Sequence, residues 1–241
     1  MFPTTAKEVA ALGWDSIDVI LFSGDAFVDH PSFGTAVIAR VLESHGYKVA
    51  VVPQPNWRDD LRDFRKLGKP NLFFGVSAGA MDSMVNHYTA AKRLRSDDAY
   101  TPEGRAGYRP DYAVTVYTRI LKELYPEVPV IIGGIEASLR RFTHYDYWQD
   151  ALKPSVLVDS KADYLILGMG ERPIAAIAQA IGRKAPEEEI RRIPQLGYLS
   201  KEIPDEDKIL LHPFEECRKS KVKFAENFNI KKMNGLKLTV K

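Results

Sequence analysis

DVILFSG, residues 18–24, is a short apolar run that ends in glycine, a pattern typical of a buried strand. Residues 32–45 follow, and their apolar side chains recur at a spacing near 3.6, which predicts an amphipathic helix. Gly46 stands where glycine commonly ends a helix. A strand followed directly by a helix is the repeating unit of parallel α/β sheets, so this stretch indicates the fold class.

The same alternation continues to residue 181. Similar patterns predict further strands at 48–52, 71–76, 128–132 and 163–167, and further helices at 57–67, 112–124 and 173–181. Short apolar strands separated by helices predict an α/β fold with a doubly wound, mostly parallel sheet that is covered on both faces.

Two segments depart from this pattern. Residues 78–112 are polar, and a connection of that length is usually functional or mobile. Beyond Gly182 the alternation stops and prolines and a Lys-rich end follow. We therefore predict a domain over residues 1–184, then a linker and an irregular tail over residues 185–241 that is an incomplete lead-in to another domain.

Composition excludes several classes of protein. The chain has 241 residues, 45% of them hydrophobic, and a formal net charge of +2, so a disordered chain is excluded and nucleic acid is not an expected partner. The single cysteine, Cys217, excludes a disulfide framework, a Cys-rich zinc site and an iron–sulfur cluster held by this chain alone. No apolar run reaches membrane-spanning length and no secretory signal is present, so the predicted location is the cytoplasm.

Glycines follow four of the predicted strands. They lie in the segments 24–25, 75–77, 133–134 and 168–170. Parallel α/β sheets bind ligands in the crevice at the carboxyl ends of their strands, and small residues there let a ligand approach the backbone. We therefore predict a small-molecule pocket at this edge, although each glycine alone is also explained by a tight turn.

One glycine segment matches the nucleophile motif of α/β hydrolases. GVSAG, residues 75–79, has the form G-x-S-x-G after a strand, so Ser77 would attack with Asp159 and His212 as later partners. The alternative is a strand-end turn that contains serine by chance. We favour the turn because no His-Gly-Gly type oxyanion loop precedes it.

Another glycine segment begins like a dinucleotide fingerprint. In GMGERP, residues 168–173, proline replaces the third glycine, and Glu171 places a negative charge where a pyrophosphate would lie. A helix start that is stabilised by an acidic residue explains the segment better.

Two basic clusters admit two interpretations each. Arg140 and Arg141 follow Glu136 closely and could form an anion clamp or a solvated helix surface with a local ion pair. Lys92, Arg93 and Arg95 lie in the long polar connection, a position that slightly favours contact with a partner or with nucleic acid over a solvated surface.

Four strings together resemble one known family. They are GDAFVDHPSFG at 24–34, AMDSMVN at 80–86, RSDDAYTP at 95–102 and GGIEASLRR at 133–141. In combination they closely resemble the amino-terminal region of the YgiQ-type (UPF0313) family of radical S-adenosylmethionine (SAM) proteins, up to about Phe224. The resemblance implies a Rossmann-like domain similar to cobalamin-binding domains. It also implies that a radical SAM barrel follows, whose C-x-x-x-C-x-x-C motif holds a [4Fe–4S] cluster that binds SAM.

This chain has none of the cluster cysteines, so we expect an accessory part of such a protein, truncated before the radical SAM core. Its expected role is to present a cofactor or substrate, and we do not expect the chain alone to be catalytic. A separately encoded barrel is the expected partner in the alternative that the chain is an interaction module. A serine hydrolase that uses Ser77 is a third, less favoured alternative.

The resemblance makes cobalamin a candidate cofactor. The usual cobalamin signature of this topology, D-x-H-x-x-G, is not matched, because Asp29 and His30 are adjacent and Gly34 lies one residue too far. A corrinoid would then bind without a protein histidine on its cobalt, its nucleotide tail lying in the crevice. No metal ligands are predicted. The candidate cofactor-binding residues are Gly24, Asp25, His30, Ser32, Ser77, Gly79, Gly133, Gly134, Glu136, Gly168, Gly170 and Glu171.

Overall fold

The computed structural model describes residues 1–201, 209–234 and 239–240. Their strands are β1 Val19–Ser23, β2 Val49–Pro53, β3 Phe73–Ser77, β4 Val130–Gly133, β5 His144–Asp146, β6 Ala151–Lys153, β7 Tyr164–Ile166, β8 Leu196–Tyr198, β9 Leu210–Leu211 and β10 Thr239–Val240. Their α-helices are α1 Ala6–Ala11, α2 Gly34–Ser44, α3 Arg62–Arg65, α4 Ser83–His87, α5 Ala113–Leu124, α6 Gly134–Leu139, α7 Val156–Ser160, α8 Glu171–Gly182, α9 Glu187–Arg191, α10 Phe214–Lys219 and α11 Lys221–Asn234.

Six strands form one sheet in the order β2-β1-β3-β4-β7-β8. The first five are parallel to their neighbours, and β8 is antiparallel to β7. All five strands that the sequence predicts are present in this sheet, with shifted bounds. The predicted α/β fold with a mostly parallel sheet is confirmed.

Apolar side chains cover both faces of the sheet, because successive residues of a strand point to opposite faces. Ile20 and Phe22 of β1 pack on the face that also buries α5, whereas Val19 and Leu21 pack on the face that buries α2 and α8. Helices on both faces are the arrangement that a buried parallel sheet requires.

The predicted helix over residues 57–67 is wrong for most of its length. Only α3 forms there, and it begins after Leu61, which has a positive φ of 58°. The Asp59 carboxylate accepts the Leu61 N–H at 2.9 Å, and the Asp60 carboxylate accepts the Arg62 N–H at 3.2 Å. Aspartate side chains that bond nearby backbone N–H groups compete with helix formation and favour a turn.

The predicted linker and tail contain ordered elements. Strand β8 pairs with β7 from beyond residue 184, and α10 and α11 follow it. The division of the chain at residue 184 stays a prediction. No helix within the described part of the chain is long and apolar enough to cross a membrane.

Candidate functional site

A cavity of about 390 Å³ opens at the carboxyl ends of β1, β3, β4 and β7. The first turns of α2 and α8 also line it. This is the edge of the sheet at which the sequence predicts a pocket. Eight of the predicted site residues line the cavity: Ser32, Ser77, Gly79, Gly133, Gly134, Gly168, Gly170 and Glu171. Their role in ligand binding stays a prediction.

The cavity lining is mostly aliphatic with a few polar groups. Ile38, Ile166 and Ile174 supply apolar walls, and Ser32 and Thr35 each supply a hydroxyl. Glu171, the first residue of α8, is the one carboxylate among the described residues of the lining. A carboxylate in the first turn is favoured by the helix dipole, which agrees with the helix-start interpretation of this segment.

Two of the predicted glycines are required by the packing of the chain itself. A Cβ at Gly24 would lie closer than 3.0 Å to the carbonyl oxygen of Ala78. Gly79 has a φ of +100°, and its Cβ would collide with the Asp25 carboxylate. At these two positions a tight chain approach explains glycine, and neither residue is evidence for a ligand.

Gly133 is different. A Cβ at this residue would find no atom closer than 3.8 Å, and its φ is extended. Neither packing nor backbone strain requires glycine there, although the residue faces the cavity. Among the predicted glycines, Gly133 is therefore the one whose missing side chain leaves open space in the cavity and is not required by packing or by a positive φ.

Asp25 lies outside the cavity lining and belongs to a buried ion network. The guanidinium of Arg109, which has no exposed surface, lies 3.1 Å from Asp25 and 3.2 Å from Asp98 and donates to the Ala78 carbonyl at 2.6 Å. The other Asp25 oxygen accepts the Ala80 N–H at 2.6 Å. Burial raises the pKa of Asp25, and the nearby Arg109 opposes that shift. The network anchors the predicted long connection, residues 78–112, to the end of β1.

Glu136 also lies outside the lining, in a second buried network. Its two carboxylate oxygens accept the Ser83 N–H at 2.8 Å, the Ser83 hydroxyl at 2.6 Å and the Val114 N–H at 2.9 Å. Burial raises its pKa, and Arg140 opposes the shift. Arg140 is itself buried and pairs with Asp82. Arg140 is therefore neither a solvated surface residue nor an anion clamp.

His30 is exposed and is already engaged in local contacts. Its Nδ1 accepts the N–H of Ser32 at 3.2 Å, and its ring packs edge-on against Phe33 with centroids 5.0 Å apart. His30 lies outside the cavity lining, and its predicted part in cofactor binding stays a prediction.

The three residues of the hydrolase alternative do not meet. The Ser77 hydroxyl accepts the Gly79 N–H at 3.1 Å. The ring nitrogens of His212 lie instead 2.8 Å from Glu226 and 3.5 Å from Glu216. The backbone carbonyl of Asp159 accepts a hydrogen bond from Arg119 at 2.7 Å. Among the described residues, no histidine or carboxylate forms a hydrogen bond with the Ser77 hydroxyl that would make it a general base.

The single cysteine does not provide an iron–sulfur site. Cys217 is buried on α10, where the Asn227 amide lies 3.2 Å from its sulfur. A [4Fe–4S] cluster is held by several cysteine thiolates, so the residues of this chain do not fit one. Within the described residues, no group of three or more His, Cys, Asp and Glu side chains could hold a metal ion.

Comparison with known proteins identifies the family. The radical SAM N-terminal family matches residues 1–240. The chain belongs to this family. It is 63% identical over 230 residues to a UPF0313 protein of Porphyromonas gingivalis, covering 94% of this chain and 36% of that protein. It is 56% identical over 200 residues to UPF0313 protein YgiQ of Escherichia coli, covering 83% of this chain and 27% of that protein.

The radical SAM N-terminal chain thus spans about a third of the length of the curated relatives it matches. Its fold is similar to that of TsrM from Kitasatospora setae, a radical SAM methyltransferase. One structure of TsrM is described with cobalamin and a [4Fe–4S] cluster bound. It matches with a TM-score of 0.50 and 20% sequence identity, and the match covers 77% of this chain and 28% of the TsrM chain. At this identity the likeness concerns the fold, and it supports the Rossmann-like prediction.

Proposed function

We propose that this chain is an accessory domain that holds a cobalamin by its nucleotide tail beside a radical SAM core. The observation that carries the proposal is the cavity of about 390 Å³ at the carboxyl ends of the parallel strands, where open α/β sheets bind ligands. This volume lies near the lower end of the range for small-molecule sites, so it suits a nucleotide better than a whole corrin ring. TsrM, a fold neighbour described with cobalamin bound, supports this choice of ligand.

The residues of the cavity fit such a tail. Ile38 and Ile166 offer apolar walls for an aromatic base, and the Ser32 and Thr35 hydroxyls offer hydrogen bonds to a ribose. The open space at Gly133 would admit the ligand close to the backbone. When bound, cobalamin supplies the radical or group-carrier chemistry, and the protein contributes binding and orientation.

The core that would complete the enzyme is part of the same proposal. Because Cys217 alone cannot hold a cluster, we propose that the cluster cysteines lie in the remaining length of the relatives or in a separately encoded barrel. In either arrangement this domain would present its bound group to that core.

Gel filtration with hydroxocobalamin tests the proposal. The purified chain is mixed with the corrinoid at micromolar concentration, and visible absorbance is expected to co-elute with the protein. Gly133→Val, which fills the open space without a clash at its Cβ, is expected to weaken binding about tenfold, equivalent to about 1.4 kcal/mol. His30→Ala is expected to leave the visible spectrum of the bound corrinoid unchanged, because His30 does not face the cavity.

Gly182→Ala is the matched control. Gly182 ends α8 far from the cavity lining, and its added methyl would meet Leu72 at an ordinary 3.9 Å. Its binding is expected to equal that of the wild type. Colourless wild-type protein after gel filtration, or equal retention by Gly133→Val, contradicts the proposal.

A further inference from the structure

Two cations meet around one aromatic ring at the end of α6. The guanidinium carbon of Arg141 lies 5.0 Å from the centroid of the Phe142 ring. Nζ of Lys231, which comes from α11, lies 5.1 Å from the same centroid. Residues 90 positions apart in the sequence thus each bring a positive charge to the Phe142 ring. This cluster belongs neither to the cavity lining nor to the buried ion networks.

Neither cation has an acidic partner. In the part of the chain that the structure describes, no carboxylate forms an ion pair with Arg141 or Lys231. Their neighbours differ in this respect, since Arg140 pairs with Asp82 and Lys223 of α11 pairs with Glu216 at 2.6 Å. Within the described residues, no carboxylate therefore compensates these two charges.

Both side chains are also partly removed from water. Arg141 and Lys231 are half-buried, and the Nε of Arg141 is buried without a hydrogen-bond partner. Burial lowers the pKa of Arg141. Burial, and then the positive charge of Arg141, lowers the pKa of Lys231. Holding two like charges together in a poorly solvated place costs free energy unless an anion joins them.

The contacts that do exist account for only part of this arrangement. Arg141 donates to the Ser138 carbonyl at 2.6 Å, as arginines near a helix end often do. Lys231 donates to the Thr143 carbonyl at 3.3 Å and covers the Phe142 ring. These contacts explain each side chain singly. They do not explain why two positive charges lie at the same ring.

We propose that Arg141 and Lys231 form a binding site for the phosphate group of a small molecule. A phosphate carries close to two negative charges and several acceptor oxygens, which match a guanidinium and an ammonium group. The site does not depend on the ligand of the strand-end cavity.

Isothermal titration of the 241-residue chain with inorganic phosphate tests the site, in a buffer without other multivalent anions. Saturable binding is expected. Adenosine monophosphate forms a second arm, which separates a phosphate ester from the free ion, and acetate forms a third. If adenosine monophosphate binds more tightly than inorganic phosphate, the natural ligand is a phosphorylated metabolite. If the two bind equally, the natural ligand is the free phosphate ion. Absence of saturable phosphate binding, or acetate binding of equal strength, overturns the proposal.

Variants locate the site on these two residues. Arg141→Gln and Lys231→Gln are each expected to weaken phosphate binding about tenfold, equivalent to about 1.4 kcal/mol. Lys223→Gln, on the same helix but paired with Glu216, is the matched control and is expected to bind as the wild type does. Unchanged binding by both site variants refutes the assignment.

Melting temperatures of the wild type and of both site variants in phosphate-free buffer separate a loss of phosphate binding from a loss of folding stability. Each site variant removes a like-charge repulsion, so it is expected to melt at or above the wild-type temperature. Added phosphate is expected to raise the melting temperature of the wild type more than that of either site variant. A site variant that melts well below the wild type without phosphate shows a structural role and contradicts the proposal.

Discussion

Glu136 shows how one buried side chain joins three elements. Its carboxylate lies on α6 and accepts hydrogen bonds from Ser83 at the start of α4 and from the Val114 N–H of α5. The side chain is 1% exposed. A buried acceptor with three donors holds those donors in place, because each would otherwise be left without a partner.

Glu136→Gln is expected to destabilise the fold by about 2 kcal/mol at pH 5, because one N–H of the new amide would face a backbone N–H. The folded-state pKa of Glu136 is raised above its ordinary 4.5. Its proton therefore contributes stability fully below pH 4.5, and this contribution is lost as pH rises through the folded-state pKa. The variant lacks this titration, so its deficit is expected to narrow toward pH 8. Urea unfolding at the two pH values measures both effects.

Ser83→Ala serves as the control, since it removes one donor and keeps the titrating carboxyl. Its deficit is expected to remain closer to constant between the two pH values than that of Glu136→Gln. A Glu136→Gln deficit that widens as pH rises contradicts the assigned direction of the pKa shift.

The residue pairs of the two buried networks could not be predicted from spacing. Arg140 and Asp82 are 58 positions apart, and spacing rules describe only local neighbours. Yet each of the four strings that carry the family resemblance holds a member of these networks: Asp25, Asp82, Asp98, and Glu136 with Arg140. The residues of these strings therefore include ones that pack the polar connection against the sheet. The family resemblance does not identify ligand-binding residues alone.

At the scale of elements, the pattern of apolar residues was sufficient to predict the strands that are almost wholly buried. Strands β1 to β4 and β7 are almost wholly buried, and their positions were predicted. The prediction failed at α3, where aspartates bond the backbone, and it did not find β8. Strand β8 has only three residues, all half-buried, so it lacks the apolar run that marks a central strand.

The pairing of β1 with β3 depends on a glycine where the two strands end. Gly24 donates its N–H to the Ser77 carbonyl at 3.0 Å, and a Cβ on it would collide with the Ala78 backbone. Gly24→Ala is expected to cost about 3 kcal/mol, because backbone and not a flexible side chain must move. Chemical denaturation monitored by circular dichroism measures the loss.

Gly34→Ala is the matched control for this prediction. Gly34 begins α2, and a Cβ there would meet nothing within 4 Å. Since alanine favours a helix over glycine by about 1 kcal/mol, this variant is expected to be as stable as the wild type or more so. Equal stability of the Gly24 and Gly34 variants would contradict the prediction, because it would show that the ends of β1 and β3 can move apart without a cost in free energy.

The whole molecule is organised by one sheet with a core on each face. The core on the α5 side uses residues up to Leu167, and the core on the side of α2 and α8 uses residues up to Tyr198. The second core therefore extends past residue 184, where the sequence pattern predicts the domain to end. Ile190, Ile193 and Leu196 belong to this extension.

This extension gives a prediction about where the folding unit ends. A variant that stops at residue 201 keeps both cores and the pairing of β8 with β7, so it is expected to retain one cooperative thermal transition. A variant that stops at residue 184 loses β8 and the buried side chain of Ile190, which is only 7% exposed. Since a buried isoleucine alone contributes about 1.5–3 kcal/mol, the shorter variant is expected to be several kcal/mol less stable. Thermal unfolding of both variants by circular dichroism decides the point, and equal melting temperatures would place the boundary at residue 184 after all.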